Sequence, residues 1–269
     1  CQALQGDFGE YPPLFASLLG AWWAVFPFAP EHPILRSFGS VLCLGTACCI
    51  ARLVWKLRGN WSLAFTATLL LPLLNGLGRH FMPETLLTFM IAGFAMMLVE
   101  ESETPSLRNK ILLGVFAGLG LLTKQSFLLL APILALGFLF TTRLSLRQII
   151  PSVLLTIGIA SPWYLQQFSK QSQYVQDSIQ NDLSIDLLAH SLFYPSVILL
   201  IGWGLLGSVL FLALLLKNRS ENLPSWTWIW LIAGLLILCL LPKKYPRLLL
   251  PWLPVLGIFL GLLSKKFST

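Results

Sequence analysis

Apolar runs of bilayer-crossing or near-crossing length recur along this chain, at about residues 37–55, 62–77, 83–99, 111–123, 126–142, 149–165, 193–216, 225–241 and 248–264. A span needs roughly 20 apolar residues. In hydrocarbon a backbone must satisfy its own hydrogen bonds, which leaves helices or closed barrels. No strand-like alternation is visible. The reading is an all-α integral membrane protein, a polytopic bundle of eight to nine transmembrane helices. Charge supports it: 11% of the residues are charged, against roughly 25% in soluble domains. The net charge of +7 is scattered between apolar runs. It forms no basic stripe of the kind nucleic-acid binders carry, so a nucleic-acid partner is set aside. Cys43, Cys48, Cys49 and Cys239 lie within apolar runs without metal-ligand spacing and read as small buried hydrophobes.

The runs give one transmembrane domain over 1–269 with four parts. Residues 1–36 read as an external loop holding a surface helix, and 37–165 as a first helical group. Residues 166–192 read as an external polar loop, and 193–269 as C-terminal helices. The surface helix is 13-PLFASLLGAWWAVF-26, about 21 Å long and so short of a ~30 Å core, with Trp22 and Trp23 suited to the interface. A short span is the alternative. Lys124 and Gln125 interrupt 111–142, which is either two spans or one long helix. Asp177, Asp182 and Asp186 of the polar segment read as the wet face of an amphipathic helix. Gly114/Gly118 and Gly257/Gly261 have the spacing that lets membrane helices approach closely. The sequon at Asn60 falls on the inner side and reads as a chance match.

Cations set the orientation. With residues 1–36 outside and nine spans, 11 Lys and Arg face inward, among them Arg52, Lys56, Arg58 and Lys110, and 7 face outward. Merging 111–142 into one span removes the asymmetry and leaves Lys124 in the bilayer. The two-span topology is therefore preferred. It leaves Arg79, Lys124 and the cluster Lys243, Lys244 and Arg247 of 241-LPKKYPRLLLPWLP-254 outside, where short loops disfavour cations. An anion at headgroup depth, such as a lipid phosphate, would hold them there; ordinary headgroup contact is the alternative.

Several short stretches occur in a telling order: 7-DFGEYPPLF-15, 33-PILRSFGSVLCL-44, 79-RHFMPETLLTF-89, 118-GLGLLTKQSFLLL-130, 160-ASPWYL-165 and 243-KKYPRLLLPWLPVL-256. Together they resemble the bacterial protein-mannosyltransferase and aminoarabinose-transferase superfamily, membrane glycosyltransferases of the GT-C fold. The resemblance implies a polyprenyl-phosphate sugar donor, membrane lipids as partners and no cofactor. It implies an acceptor that is a protein, a lipid or another glycan. It places the protein in a bacterial inner membrane, with the active side periplasmic or extracellular. Family members carry a further span and an acidic pair ahead of the Pro-Pro-Leu box. The expectation is that these precede Cys1 or have been lost.

Breaking an anomeric C–O bond to phosphate asks for a base at the acceptor hydroxyl and for positive charge at the departing phosphate. Asp7 or Glu10 is the candidate base. Lys243, Lys244, Arg247, Lys124 and Arg79 are the candidate phosphate-binding cations. Tyr11, His80 and Glu84 are candidates to line the substrate cleft. Each has a plainer role available: Tyr11 in a stiff turn before Pro12-Pro13, Glu84 in the first helical turn after Pro83. His80 and Glu84 are four residues apart, but Pro83 intervenes and no third ligand is near, so no metal is read. Two rival functions remain on the residues alone. One is a lipid or polysaccharide transporter or flippase; the other is a non-catalytic membrane fragment.

Overall fold

The computed structural model describes residues 12–27, 33–71, 74, 82–142, 144–180, 223–240 and 249–264. These form helices α1 (Leu14–Val25), α2 (Pro33–Lys56), α3 (Trp61–Leu69), α4 (Pro83–Glu103), α5 (Leu107–Thr123), α6 (Phe127–Thr141), α7 (Leu146–Gln180), α8 (Ser225–Leu240) and α9 (Pro254–Leu263). No strand occurs among the described residues. Among the described residues, three segments are long and apolar enough to cross a membrane: Ser37–Lys56, Pro83–Glu103 and Leu146–Gln167. The chain is an integral membrane protein built as a helical bundle.

Local chemistry explains most boundaries. Ser106 caps α5, its hydroxyl accepting from the Asn109 amide at 3.1 Å, while Glu101 Oε2 accepts from the Ser106 amide at 3.0 Å. Asn60 caps α3 through the Leu63 amide at 3.1 Å and also accepts from the Ser62 hydroxyl, so the sequon's asparagine serves the helix start. Lys124 is the residue on which α5 ends, in extended conformation. Residues 124–126 then turn the chain directly into α6. The stretch 111–142 is thus two helices.

Other boundaries depart from the sequence expectation. The run 62–77 begins as helix at Trp61 but leaves it after Leu69. Pro72 supplies the reason: it lacks an N–H and disfavours helical geometry in the residue before it. The run 248–264 is helical only from Pro254, because Pro251 and Pro254 hold Leu249–Leu253 in turns. Conversely, 149–165 does not stop where its apolar character does. Helix α7 continues through Gln180, so the polar segment read as an external loop with an amphipathic helix begins as an unbroken extension of the span. No Gly or Pro follows Pro162 in this stretch to break it. Cys43 and Cys49 are buried free thiols as expected, whereas Cys48 is exposed.

Helices α2 and α4 run parallel, their last turns joined by ion pairs from Arg52 and Lys56 to Glu100. Helix α5 returns antiparallel to α4. The core between them is apolar, with Leu53, Ile91, Leu98 and Leu113 among its buried members. The short helix α1 leans on the start of α2. Its Phe15 and Trp22 rings lie 6.1 and 5.7 Å from Phe38, and Trp22 Nε1 donates to the Ile34 carbonyl.

The α5–α7 contact is built on glycine. A Cβ at Gly114 would stand 2.8 Å from the Ser152 carbonyl oxygen, and one at Gly118 would stand 2.7 Å from Ile159 Cβ. Close approach lets side chains bond across it. Ser152 Oγ donates to the Lys110 carbonyl at 2.8 Å, Thr156 Oγ1 to that of Gly114 at 3.3 Å, and Tyr164 Oη to that of Leu121 at 3.1 Å. Gly257 and Gly261 do the same for α9 on α3, facing Thr68 and Ala64. Gly118→Ala should therefore lower the thermal stability of the purified protein, by the ~1–3 kcal/mol typical of overpacking. Gly158→Ala, on α7 with open space around it, should leave stability unchanged or raise it. Equal melting temperatures for the two variants would contradict this packing.

Candidate active site

Helix α4 opens with Pro83 at its first position, which puts Glu84 in the first turn, where the backbone dipole favours a carboxylate. Helix α5 ends at Lys124, where a cation is favoured for the same reason. Antiparallel packing brings the two ends together, and Lys124 Nζ lies 2.7 Å from Glu84 Oε1. The side chains are 18% and 4% exposed. This pair is held in a poorly solvated setting, where each charge depends on the other.

Further polar groups gather at this end. Thr88 Oγ1 donates to the Glu84 carbonyl at 2.7 Å. Thr85 Oγ1 is buried with no hydrogen-bond partner among the described residues. The Tyr164 bond to Leu121 brings the Pro162-Trp163-Tyr164 stretch of α7 to the same end of α5. Gln167 follows one turn later, its Oε1 also buried and unpartnered among the described residues. Trp226 near the start of α8 stacks on Phe138 near the far end of α6, so α8 runs toward the Glu84–Lys124 end. The Asn60 amide bonds the Gly261 carbonyl, so α9 runs away from it.

The structure thus unites two of the residues singled out from the sequence, Lys124 and Glu84. It gives Lys124 a protein carboxylate as its partner where the sequence suggested a phosphate. Asp7, Glu10, Tyr11, Arg79, His80, Lys243, Lys244 and Arg247 lie outside the described residues. Sequence reasoning missed Thr85 and Gln167, which nothing in their local pattern distinguishes from ordinary helix residues. Tyr164 stood in a noted motif, but its bond to α5 is 43 residues away in sequence.

The pair's mutual dependence is measurable. Lys124→Met alone leaves a buried carboxylate without its cation, and loss of one partner of such a pair costs about 3–5 kcal/mol when burial is complete. Slightly less is expected here, given the partial exposure of Lys124. Adding Glu84→Gln should recover much of the loss. Thermal unfolding of both single variants and the double variant measures the coupling; additive effects would contradict a coupled pair.

The protein-family model described as dolichyl-phosphate-mannose-protein mannosyltransferase matches residues 10–165, more than half of the chain. No curated protein sequence matches. The bundle is similar to the crystal structure of ArnT from Cupriavidus metallidurans in the apo state, with a TM-score of 0.73 and 17% identity, over 94% of this chain and 49% of that one. The ArnT structure bound to undecaprenyl phosphate matches with a TM-score of 0.71 and 18% identity, with the same coverage. The chain spans about half the length of these solved structures. Likeness at this identity is one of fold, and the fold is the GT-C type. The motif order, the matched family model and the bundle agree: the chain belongs to the dolichyl-phosphate-mannose-protein mannosyltransferase family.

Proposed function

We propose that this protein is a membrane glycosyltransferase that moves a sugar from a polyprenyl-phosphate donor to an acceptor on the outer face of the membrane. The observation that carries the reading is family membership together with a lysine fixed at one polar end of the bundle. The similar ArnT structure with undecaprenyl phosphate bound supports a polyprenyl-phosphate donor as the lipid class. The reaction needs few groups. The acceptor oxygen attacks the anomeric carbon and forms the new glycosidic bond. The bond from that carbon to the phosphate oxygen breaks, and its electron pair stays on the phosphate. The acceptor proton passes to a carboxylate, for which Asp7 or Glu10 is the candidate. Lys124 offsets charge on the departing phosphate, with Arg79, Lys243, Lys244 and Arg247 as further candidates. Glu84 keeps Lys124 charged and aimed while the donor is absent.

A transport reading finds less support. Transport paths carry ionisable groups deep within several spans. In the described crossing segments the charged residues stand in the first or last turns of the apolar stretch.

The test uses the complete protein in nanodiscs with a polyprenyl-phosphate sugar as donor. Charge-assisted contacts are worth about 1.5–3 kcal/mol each. Arg247→Ala should therefore weaken donor binding roughly 10–150-fold. Arg247→Lys, which loses the two-pronged fork, should weaken it less. Lys124→Ala should slow sugar transfer, and Arg219→Ala, a residue that the charge count of the sequence assigns to the inner side, should change neither. Equal affinity and transfer in all four would contradict the reading.

A further inference from the structure

The end of the bundle away from Lys124 holds a second group of charges with a different construction. Glu100, almost fully buried, receives two cations from α2: Arg52 Nε at 2.8 Å and Lys56 Nζ at 2.9 Å. One carboxylate against two cations leaves an excess positive charge, and exposed Arg58 follows two residues later. The Arg52 guanidinium lies 4.4 Å from the centre of the Trp55 ring. Its Nε is bonded to Glu100, and among the described residues its two terminal nitrogens have no partner. The Arg52 side chain is 47% exposed.

The surface leading to this guanidinium has a pattern. Val41, Leu44, Cys48, Arg52 and Trp55 are the exposed positions of α2 beyond Ser40. At 100° per residue they fall within an arc of about 80°, one continuous stripe down the helix. Its apolar part, Val41 to Cys48, begins one turn from Arg52 and extends about 16 Å from it. The stripe ends in an arginine stacked on a tryptophan, and exposed Trp61 stands just beyond. Along the stripe comes apolar length, then a guanidinium with two terminal nitrogens to spare, with tryptophan rings beside and beyond it; a phospholipid likewise presents acyl chain and then phosphate, at the interfacial depth that tryptophan favours.

We propose that this stripe binds an anionic phospholipid, in the leaflet opposite the Glu84–Lys124 end. The Arg52 terminal nitrogens hold the phosphate, and one acyl chain lies along Val41, Leu44 and Cys48. A soluble anion would gain the fork but nothing from the apolar stripe, so the lipid is the fitting occupant. The site is independent of the sugar-transfer reading, and its test does not involve the donor.

The complete protein is placed in phosphatidylcholine nanodiscs with increasing phosphatidylglycerol, and retained lipids are counted by native mass spectrometry after mild detergent release. Wild type should retain phosphatidylglycerol over phosphatidylcholine. Arg52→Gln should reduce that retention about fivefold or more. Its Glu100 keeps Lys56, so the fold should stand, which melting in pure phosphatidylcholine checks. Trp55→Leu leaves both ion pairs intact and should also reduce retention, so it decides the matter if Arg52→Gln does not fold. Arg147→Gln, an exposed cation on α7, should have no effect. Millimolar glycerol phosphate should not displace the lipid. Equal retention of both lipids by wild type would overturn the proposal. So would equal losses in Arg52→Gln and Arg147→Gln, or displacement by glycerol phosphate.

Discussion

Helix α4 carries acids near both ends and a long apolar stretch between. Glu84 and Glu100 are about 24 Å apart along the axis at 1.5 Å per residue, and both are buried. A buried carboxylate is tolerable only with a cation beside it. Each therefore fixes a neighbour: Glu84 takes Lys124 from the end of α5, and Glu100 takes Arg52 and Lys56 from the end of α2. Glu101, beside Glu100, accepts from the Ser106 amide and so fixes where α5 begins. These requirements set the relative heights of α2, α4 and α5. With the heights set, each helix presents its apolar middle to the others and its charges toward the two aqueous sides.

Close packing follows from that alignment. Gly114 and Gly118 lie in the apolar middle of α5, where lipid and leucine are equally oily and close contact takes the place of a hydrophobic drive. The absence of side chains there lets the hydroxyls of Ser152 and Thr156 reach the α5 backbone. The same contact brings Tyr164 to Leu121, three residues before Lys124. The polar end of the molecule is thus positioned by glycines one to two turns away.

The all-helical membrane bundle was legible because span length and charge content are sums over many residues. The turn at Lys124 was legible as well, since a lysine in the bilayer has no good alternative. Small-residue spacing showed that α5 and α9 would pack closely, but nothing in it named α7 and α3 as their partners. Helix ends were read less well wherever apolar character and helix formation part company. Pro72 ends α3 inside an apolar run, and α7 persists into polar sequence. Lys124 and Glu84 were both visible as special, one as a phosphate ligand and the other as a cleft or helix-start residue. Their pairing joins positions 40 residues apart, and single-sequence patterns carry no such distance. Glu100 was hidden for the same reason, its partner Arg52 lying 48 residues earlier.

The central claim is that the donor's phosphate binds at the Glu84–Lys124 end of the bundle. Photo-crosslinking tests it most directly, with the complete protein in nanodiscs and a polyprenyl phosphate carrying a diazirine next to the phosphate. Mapping the adducts by mass spectrometry should place them on the first turn of α4, the α5–α6 turn and the Tyr164–Gln167 stretch of α7. An excess of unlabelled polyprenyl phosphate should suppress them. Adducts concentrated at the Arg52–Glu100 end, or spread along the lipid-facing side of α7 and insensitive to competition, would contradict the account.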